Sequence, residues 1–213
     1  MVQTIQAIEQ SNVVVALLDA REGVTEHDAA LVGIAVERGR ALVIALNKWD
    51  GMDGDQRDNA RRTFDLKLPF AHFAEVHNIS ALHGTGVGEM MRSVDAAWVA
   101  AMREMSTAEL NKVLEQAVEQ HQPPIARGRR IKLRYAHQGG KNPPIIVIHG
   151  NQTEDVPDSY RRYLENKYRD AFRLHGTPVR VEFRTGHNPF KGRRNPMTAR
   201  QVKQRQRLKR HSK

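Results

Sequence analysis

Apolar and polar positions follow two patterns along the chain. Over residues 1–103, the continuous apolar runs NVVVALLDA and ALVIAL alternate with stretches whose apolar residues recur at helical spacing. Short runs rich in Val and Ile, apolar on both faces, predict buried strands, and the stretches between them predict helices. A first helix is expected over 2–10. Thr25 with Asp28 forms a capping box for a second, which carries Leu31, Ile34 and Ala35 on one face. Gly51 and Gly54 mark a turn, followed by a polar helix to about Leu68, a short strand near 76–79, and a helix bearing Met91, Val94, Trp98 and Met102 at helical spacing. Strands alternating with helices in this way predict an α/β, doubly wound parallel sheet.

The pattern changes near residue 104. Ser106 and Glu109 form another capping box, and Leu110, Val113, Leu114, Ala117 and Val118 follow at helical spacing before the Pro123-Pro124 stop. RIKLRYA alternates strictly, IIVIH is continuously apolar, and Gly139-Gly140 with Pro143-Pro144 joins the two. A helix from about Pro157 stacks Tyr160, Leu164, Tyr168 and Phe172 every four residues, stops near Gly176, and gives way to the alternating strand VRVEFR. The order helix, strand, strand, helix, strand predicts a small α+β domain with helices over one sheet face. The expected division is therefore 1–103, 104–187 and a tail, 188–213, whose ten Lys+Arg and lack of acids leave it too little apolar surface to fold alone.

Composition and charge narrow the function. The chain has no Cys and no apolar run near the ~18 residues that span a bilayer, so a cytoplasmic protein without a membrane partner is expected. The formal net charge of +10 is unevenly spread: 1–103 hold 10 Lys+Arg against 14 Asp+Glu, while 104–213 hold 24 against 10. An acidic half joined to a basic half predicts a polyanionic partner for the second, and nucleic acid fits better than a membrane because no basic amphipathic helix with large apolar anchors is present.

The sharpest chemical signal is N-K-W-D at Asn47, Lys48, Trp49 and Asp50, at the carboxyl end of the strand ALVIAL. Ligands of open parallel sheets bind at that end. A carboxylate that accepts both donors on one edge of guanine cannot favour adenine, which lacks the exocyclic amine there, so Asp50 is the candidate for base specificity. Asn47 is placed to fix the loop and reach the base, the stem of Lys48 to cover the ring face, and Trp49 to fill the variable position. Ser80, Ala81 and Leu82 follow the next strand, where a backbone N–H can donate to the guanine carbonyl. The bland alternative is a helix-entering turn of the same composition.

NVVVALLDAREG, ALVIALNKWDG and ISALHGTGVG resemble the second half of a translation-factor-class GTPase domain. HQPPIARGRRIKLRYAHQGGKNPPIIVIHGNQ with PDSYRRYLENKYR resembles the C-terminal end of the Der (EngA) family, bacterial GTPases with two tandem GTPase domains and a terminal KH-like domain. The resemblance runs from about Val2 through the tail. It implies a partial P-loop-GTPase-like sheet followed by a KH-like domain, GTP or GDP as ligand, Mg²⁺ in the complete protein, and a role in assembly of the large ribosomal subunit through rRNA rather than DNA. The guanine-recognition role carries onto Asn47, Lys48 and Asp50, and onto Ser80 and Ala81; Leu82 departs from the S-A-K form of small GTPases.

The phosphate machinery is missing from the sequence. G-x-x-x-x-G-K-[ST] occurs nowhere, and Gly140-Lys141, the one Gly-Lys pair, has Tyr135 where the first glycine belongs. D-x-x-G is absent too, since Asp19-Ala20-Arg21-Glu22-Gly23 has one residue too many. No catalytic residue is assigned. The resemblance implies that these groups precede residue 1, with Met1 like an internal methionine of a longer protein, either read as a start or left by truncation, and that the strand at 13–18 becomes an unguarded sheet edge.

In the second half, Ile131, Leu133, Tyr135, Val179, Val181 and Phe183 are expected to face the helices. Arg130, Lys132, Arg134, Arg180, Glu182 and Arg184 then share the other face, five cations and one anion, suited to phosphate or to docking on the acidic half. No G-x-x-G stands in 104–213, so a KH-type grip on a sequence-specific single strand is not expected. Arg193, Arg194, Arg205, Arg207, Lys209 and Arg210 of the tail are further candidates for rRNA contact. His72, His77 and His83 lack metal-site spacing, and Tyr160, Tyr163 and Tyr168 sit at core spacing. Two functions remain open: part of a GTP-dependent ribosome-assembly factor, or a non-catalytic RNA- or ribosome-binding module with a vestigial guanine loop.

Overall fold

A computed structural model describes residues 2–126 and 128–185. Two sheets, each with its own helices, follow one another. In the first, β1 (Val13–Asp19), β2 (Ala41–Asn47) and β3 (Glu75–Asn78) lie parallel in the order β1-β2-β3, with α1 (Val2–Gln10), α2 (Glu26–Glu37), α3 (Gly54–Lys67) and α4 (Val87–Ala101) around them. Central β2 is buried along its apolar length, as its continuous run dictates. The capping box of α2 forms as expected, with the Thr25 hydroxyl accepting from the Asp28 N–H.

Two of the expected helix faces are corrected. Helix α2 buries Ala35 as expected, but with it Val32, while Ala29 and Val36 pack against the core and Leu31 and Ile34 are only half-buried; the helix is apolar nearly all round, so periodicity could not choose. Helix α4 packs Met90, Ser93, Ala97 and Ala101, leaving Met91, Trp98 and Met102 exposed. Ala97 and Ala101 join Met90 in the core shared with Ala41, Val43 and Ala45 of β2, and the larger Trp98 is turned outward. At the edge, Val15 and Leu17 of β1 are 38% and 57% exposed.

The second sheet has the order β6-β7-β8, with β6 (Lys132–Gly140) antiparallel and β8 (Arg180–Thr185) parallel to β7 (Ile145–Asn151). A two-residue hairpin, β4 (Ile125–Ala126) and β5 (Arg129–Arg130), precedes it. Helices α5 (Thr107–Gln120) and α6 (Asp158–Phe172) cover one face. Leu110, Leu114 and Ala117 of α5 meet Tyr160, Leu164, Tyr168 and Phe172 of α6 in a single core, as their spacing dictates. Burial pushes the Tyr160 hydroxyl up to about 12, while it donates to the His121 carbonyl at 2.7 Å. Helix α6 ends earlier than expected, at Phe172, through left-handed Arg173 (φ 51°).

Tyr135 is the main correction in this half. A register shift between Leu133 and Tyr135 inserts Arg134 as an extra residue, so Tyr135 pairs with His149 and is 44% exposed. A bulge changes which side of the sheet every following residue occupies. Val179 and Val181 are buried and Phe183 packs against the same core, as expected.

The two sheets join at the amino ends of β1–β3. Gly176 bridges them: its carbonyl accepts from Leu42 N–H at 2.7 Å and its N–H donates to the Phe73 carbonyl at 2.9 Å. Its φ is +70°, and a Cβ there would stand 2.6 Å from the Ala97 Cβ. Asn142 N–H donates to the Ala101 carbonyl at 3.0 Å. The carboxyl ends of the strands, where Asn47 lies, are thus left clear.

Candidate guanine-nucleotide site and basic surface

Asn47 closes β2, beside Asp19 at the end of β1. Parallel pairing in register brings the two strand ends together. The Asn47 Oδ1 accepts from the Ala81 N–H at 2.9 Å, and the Trp49 N–H donates to the Ile79 carbonyl at 3.1 Å. These bonds fasten the N-K-W-D loop to the loop after β3. Lys48 adopts a left-handed conformation (φ 63°), and its ammonium pairs with the Asp19 carboxylate. Their hydrogen bond holds the Asp19 carboxyl below its usual range against the opposing effect of desolvation. Trp49 is half-buried under the guanidinium groups of Arg57 and Arg61, at 5.8 and 5.3 Å from its ring centre.

Asp50 is surrounded by donors. The Ser80 hydroxyl lowers its carboxyl pKa most, with smaller contributions in the same direction from His83 and Arg21. His83 Nε2 lies 3.3 Å from its Oδ2, and Arg21 donates to its carbonyl at 3.2 Å. Ser80 is buried and its N–H donates to the Thr85 carbonyl at 3.0 Å. Gly86 (φ +74°) turns the chain into α4; a Cβ there would meet the Asn78 carbonyl at 2.7 Å. Leu82 is 86% exposed and touches none of this. The arrangement presents an ionised carboxylate beside the Asn47 amide at one opening, an acceptor suited to the two donors on one edge of guanine, while the Ser80 and Ala81 N–H groups are already donated to Thr85 and Asn47. The sequence assigns none of Asp19, Arg21 and His83 to this site; the signal for Asp19 is its place at the end of a strand adjoining β2.

The sequence holds no phosphate-cradling loop, and no group of three His, Cys, Asp or Glu able to hold a metal occurs among the described residues. No helix among them is long and apolar enough to cross a membrane.

The basic candidates of the second half are dispersed rather than aligned. Arg130 lies on the β4–β5 hairpin and donates to Gln122. Lys132 is exposed at the start of β6, and Arg134 occupies the bulge. Arg180 donates to the Glu37 carbonyl at the junction, whereas Arg184 is exposed beside His149. Arg193, Arg194, Arg205, Arg207, Lys209 and Arg210 lie outside the described residues. Tyr160 and Tyr168 are core residues, and Tyr163 donates to the Ala117 carbonyl at 2.9 Å.

Residues 1–123 match the elongation factor Tu GTP-binding domain, and residues 104–184 match the KH-domain-like C-terminal module of EngA bacterial GTPases. The chain belongs to the translation-factor class of GTPases, in its Der (EngA) branch. It is 58% identical to GTPase Der of Thioalkalivibrio sulfidiphilus over 213 residues, all of this chain and 46% of that protein. It is 54% identical to GTPase Der of Hahella chejuensis over all of this chain and 45% of that protein. It is 57% identical to that of Azotobacter vinelandii over 98% of this chain and 42% of that protein. The chain thus spans about half the length of these relatives. Guanine-nucleotide binding is the general chemistry of that GTPase family.

Proposed function

We propose that this chain supplies the guanine-reading part of a Der-type GTPase together with an RNA-contacting KH-like part, and that it acts in assembly of the large ribosomal subunit. The observation that carries this reading is the tie between Asn47 and Ala81, which holds the two guanine-contacting loops together around Asp50. In this reading Asn47, Lys48, Asp50, Ser80 and Ala81 contact the base, and Trp49 braces the loop. The parts divide at about residue 104, with rRNA held by the basic second part and tail. Hydrolysis is assigned to the complete protein, where a phosphate cradle and Mg²⁺ position the γ-phosphate; phosphoryl transfer is catalysed mainly by such positioning and charge neutralisation.

The absence of a phosphate loop from the sequence favours a second reading, a non-catalytic ribosome-binding module that keeps the guanine loop as scaffold. Sedimentation of the purified chain with large ribosomal subunits, beside a turnover assay with Mg²⁺ and GTP, tests both. Salt-sensitive co-sedimentation with background turnover is expected. Failure to sediment with the subunit contradicts both readings, and turnover abolished by Asp50→Ala contradicts the assignment of hydrolysis.

A further inference from the structure

The face of the second sheet turned away from α5 and α6 carries an aromatic cluster that no part of the guanine site uses. The bulge at Arg134 puts Tyr135 and His137 of β6 beside His149 of β7. Their ring centres lie 5.1 Å apart for the two histidines, 5.7 Å for Tyr135 and His137, and 5.8 Å for Tyr135 and His149. The first two contacts are stacked, at 26° between planes. Arg184 of β8 is in register with His149, and Lys132 and Arg134 flank the cluster on β6. Helices α5 and α6 cover the opposite face.

We propose that this face is a stacking platform for unpaired bases of single-stranded RNA, with Tyr135 as the outermost ring and Lys132, Arg134 and Arg184 holding the adjoining phosphates. Every base has a π-face, so a ring cluster binds single strands with little sequence preference, while the cations supply the salt-dependent attraction. A strand bound here needs no G-x-x-G loop, because the bases are held by rings and the backbone by side chains. Charge selects the occupant: the exposed cations Lys132, Arg134 and Arg184 outnumber the one exposed anion on this face among the described residues, Glu182, and complement a polyanion whose bases are splayed. Arg180 is not among these contacts, since it is committed to Glu37.

The proposal rests on the reading that the second part contacts RNA, and the experiment separates the two. Fluorescence anisotropy measures binding of the full chain to labelled oligouridylate, to its abasic counterpart and to an RNA duplex. The parent is expected to prefer oligouridylate. Tyr135→Ala should weaken that binding by roughly 5- to 100-fold, the loss of one stacked base, with the slope of log K against log salt unchanged. Tyr135→Phe keeps the ring and should bind like the parent. Arg184→Gln should flatten the salt slope by about one phosphate contact. If the parent binds none of these RNAs, the RNA reading falls and the platform with it. If it binds oligouridylate and the abasic strand equally and Tyr135→Ala changes nothing, the platform alone is overturned and the face serves a protein contact instead.

Discussion

The Asn47 side-chain oxygen accepts the Ala81 N–H at 2.9 Å, joining loops 34 residues apart in sequence. The bond places the carboxyl ends of β2 and β3 in one frame before any base arrives. Asn47→Ala removes the acceptor and leaves that amide without a protein partner, which should cost about 1 kcal/mol of stability. The Ala81 amide should also exchange with solvent faster than in the parent. Unchanged unfolding and unchanged Ala81 exchange would show that the tie is not structural.

The Asp19–Lys48 pair gives a pH signature. The folded state holds the Asp19 carboxyl below its ordinary range, chiefly through its hydrogen bond with Lys48. A depressed carboxyl contributes stability above the ordinary Asp value of about 4 and loses it as pH falls through the folded value. For a partly exposed pair the contribution is at most about 1 kcal/mol. Urea unfolding of the parent and Asp19→Asn should therefore differ near neutral pH and converge in acid. A difference that persists unchanged in acid would assign the effect to packing instead.

Gly176 couples the two sheets. A side chain there meets both a left-handed backbone and Ala97, so Gly176→Ala should destabilise by roughly 2–4 kcal/mol. Gly88, inside α4 with no atom within 4 Å of an added Cβ, is the control, and Gly88→Ala should stabilise by about 0.5–1 kcal/mol. Thermal unfolding of both variants checks the contrast, and equal effects would refute it.

Among the described residues β1 has a strand neighbour on one side only. An edge strand with exposed Val15 and Leu17 and no Lys or Pro invites pairing with another chain. Leu17→Lys should reduce self-association seen by light scattering without lowering the unfolding temperature. In the parent monomer, amides over 13–18 should exchange faster than those over 145–148 in β7; equal protection would contradict an open edge.

Local signals made most of this legible. The capping boxes at Thr25 and Ser106, the quartet Tyr160, Leu164, Tyr168 and Phe172, and the placement of N-K-W-D at a strand end all depend on residues near one another in sequence. The misreadings come from relationships between elements. Helix α4 hides Ala97 and Ala101 with Met90 instead of Trp98 because of the way it lies on β2, a relationship held by neither element alone. Tyr135 follows strict alternation in the sequence, but the extra residue at Arg134 exists only in pairing with β7. The Asp19–Lys48 pair likewise depends on β1 and β2 lying in register.

Recognition of guanine by the loops around Asp50 is tested most directly by an NMR titration of the full chain. Millimolar GDP should shift the amides of Trp49, Asp50 and Ala81, ADP should leave them in place, and Asp50→Ala should abolish the GDP response while Leu82→Ala preserves it. Equal shifts with GDP and ADP, or a GDP response in Asp50→Ala like that of the parent, would contradict it.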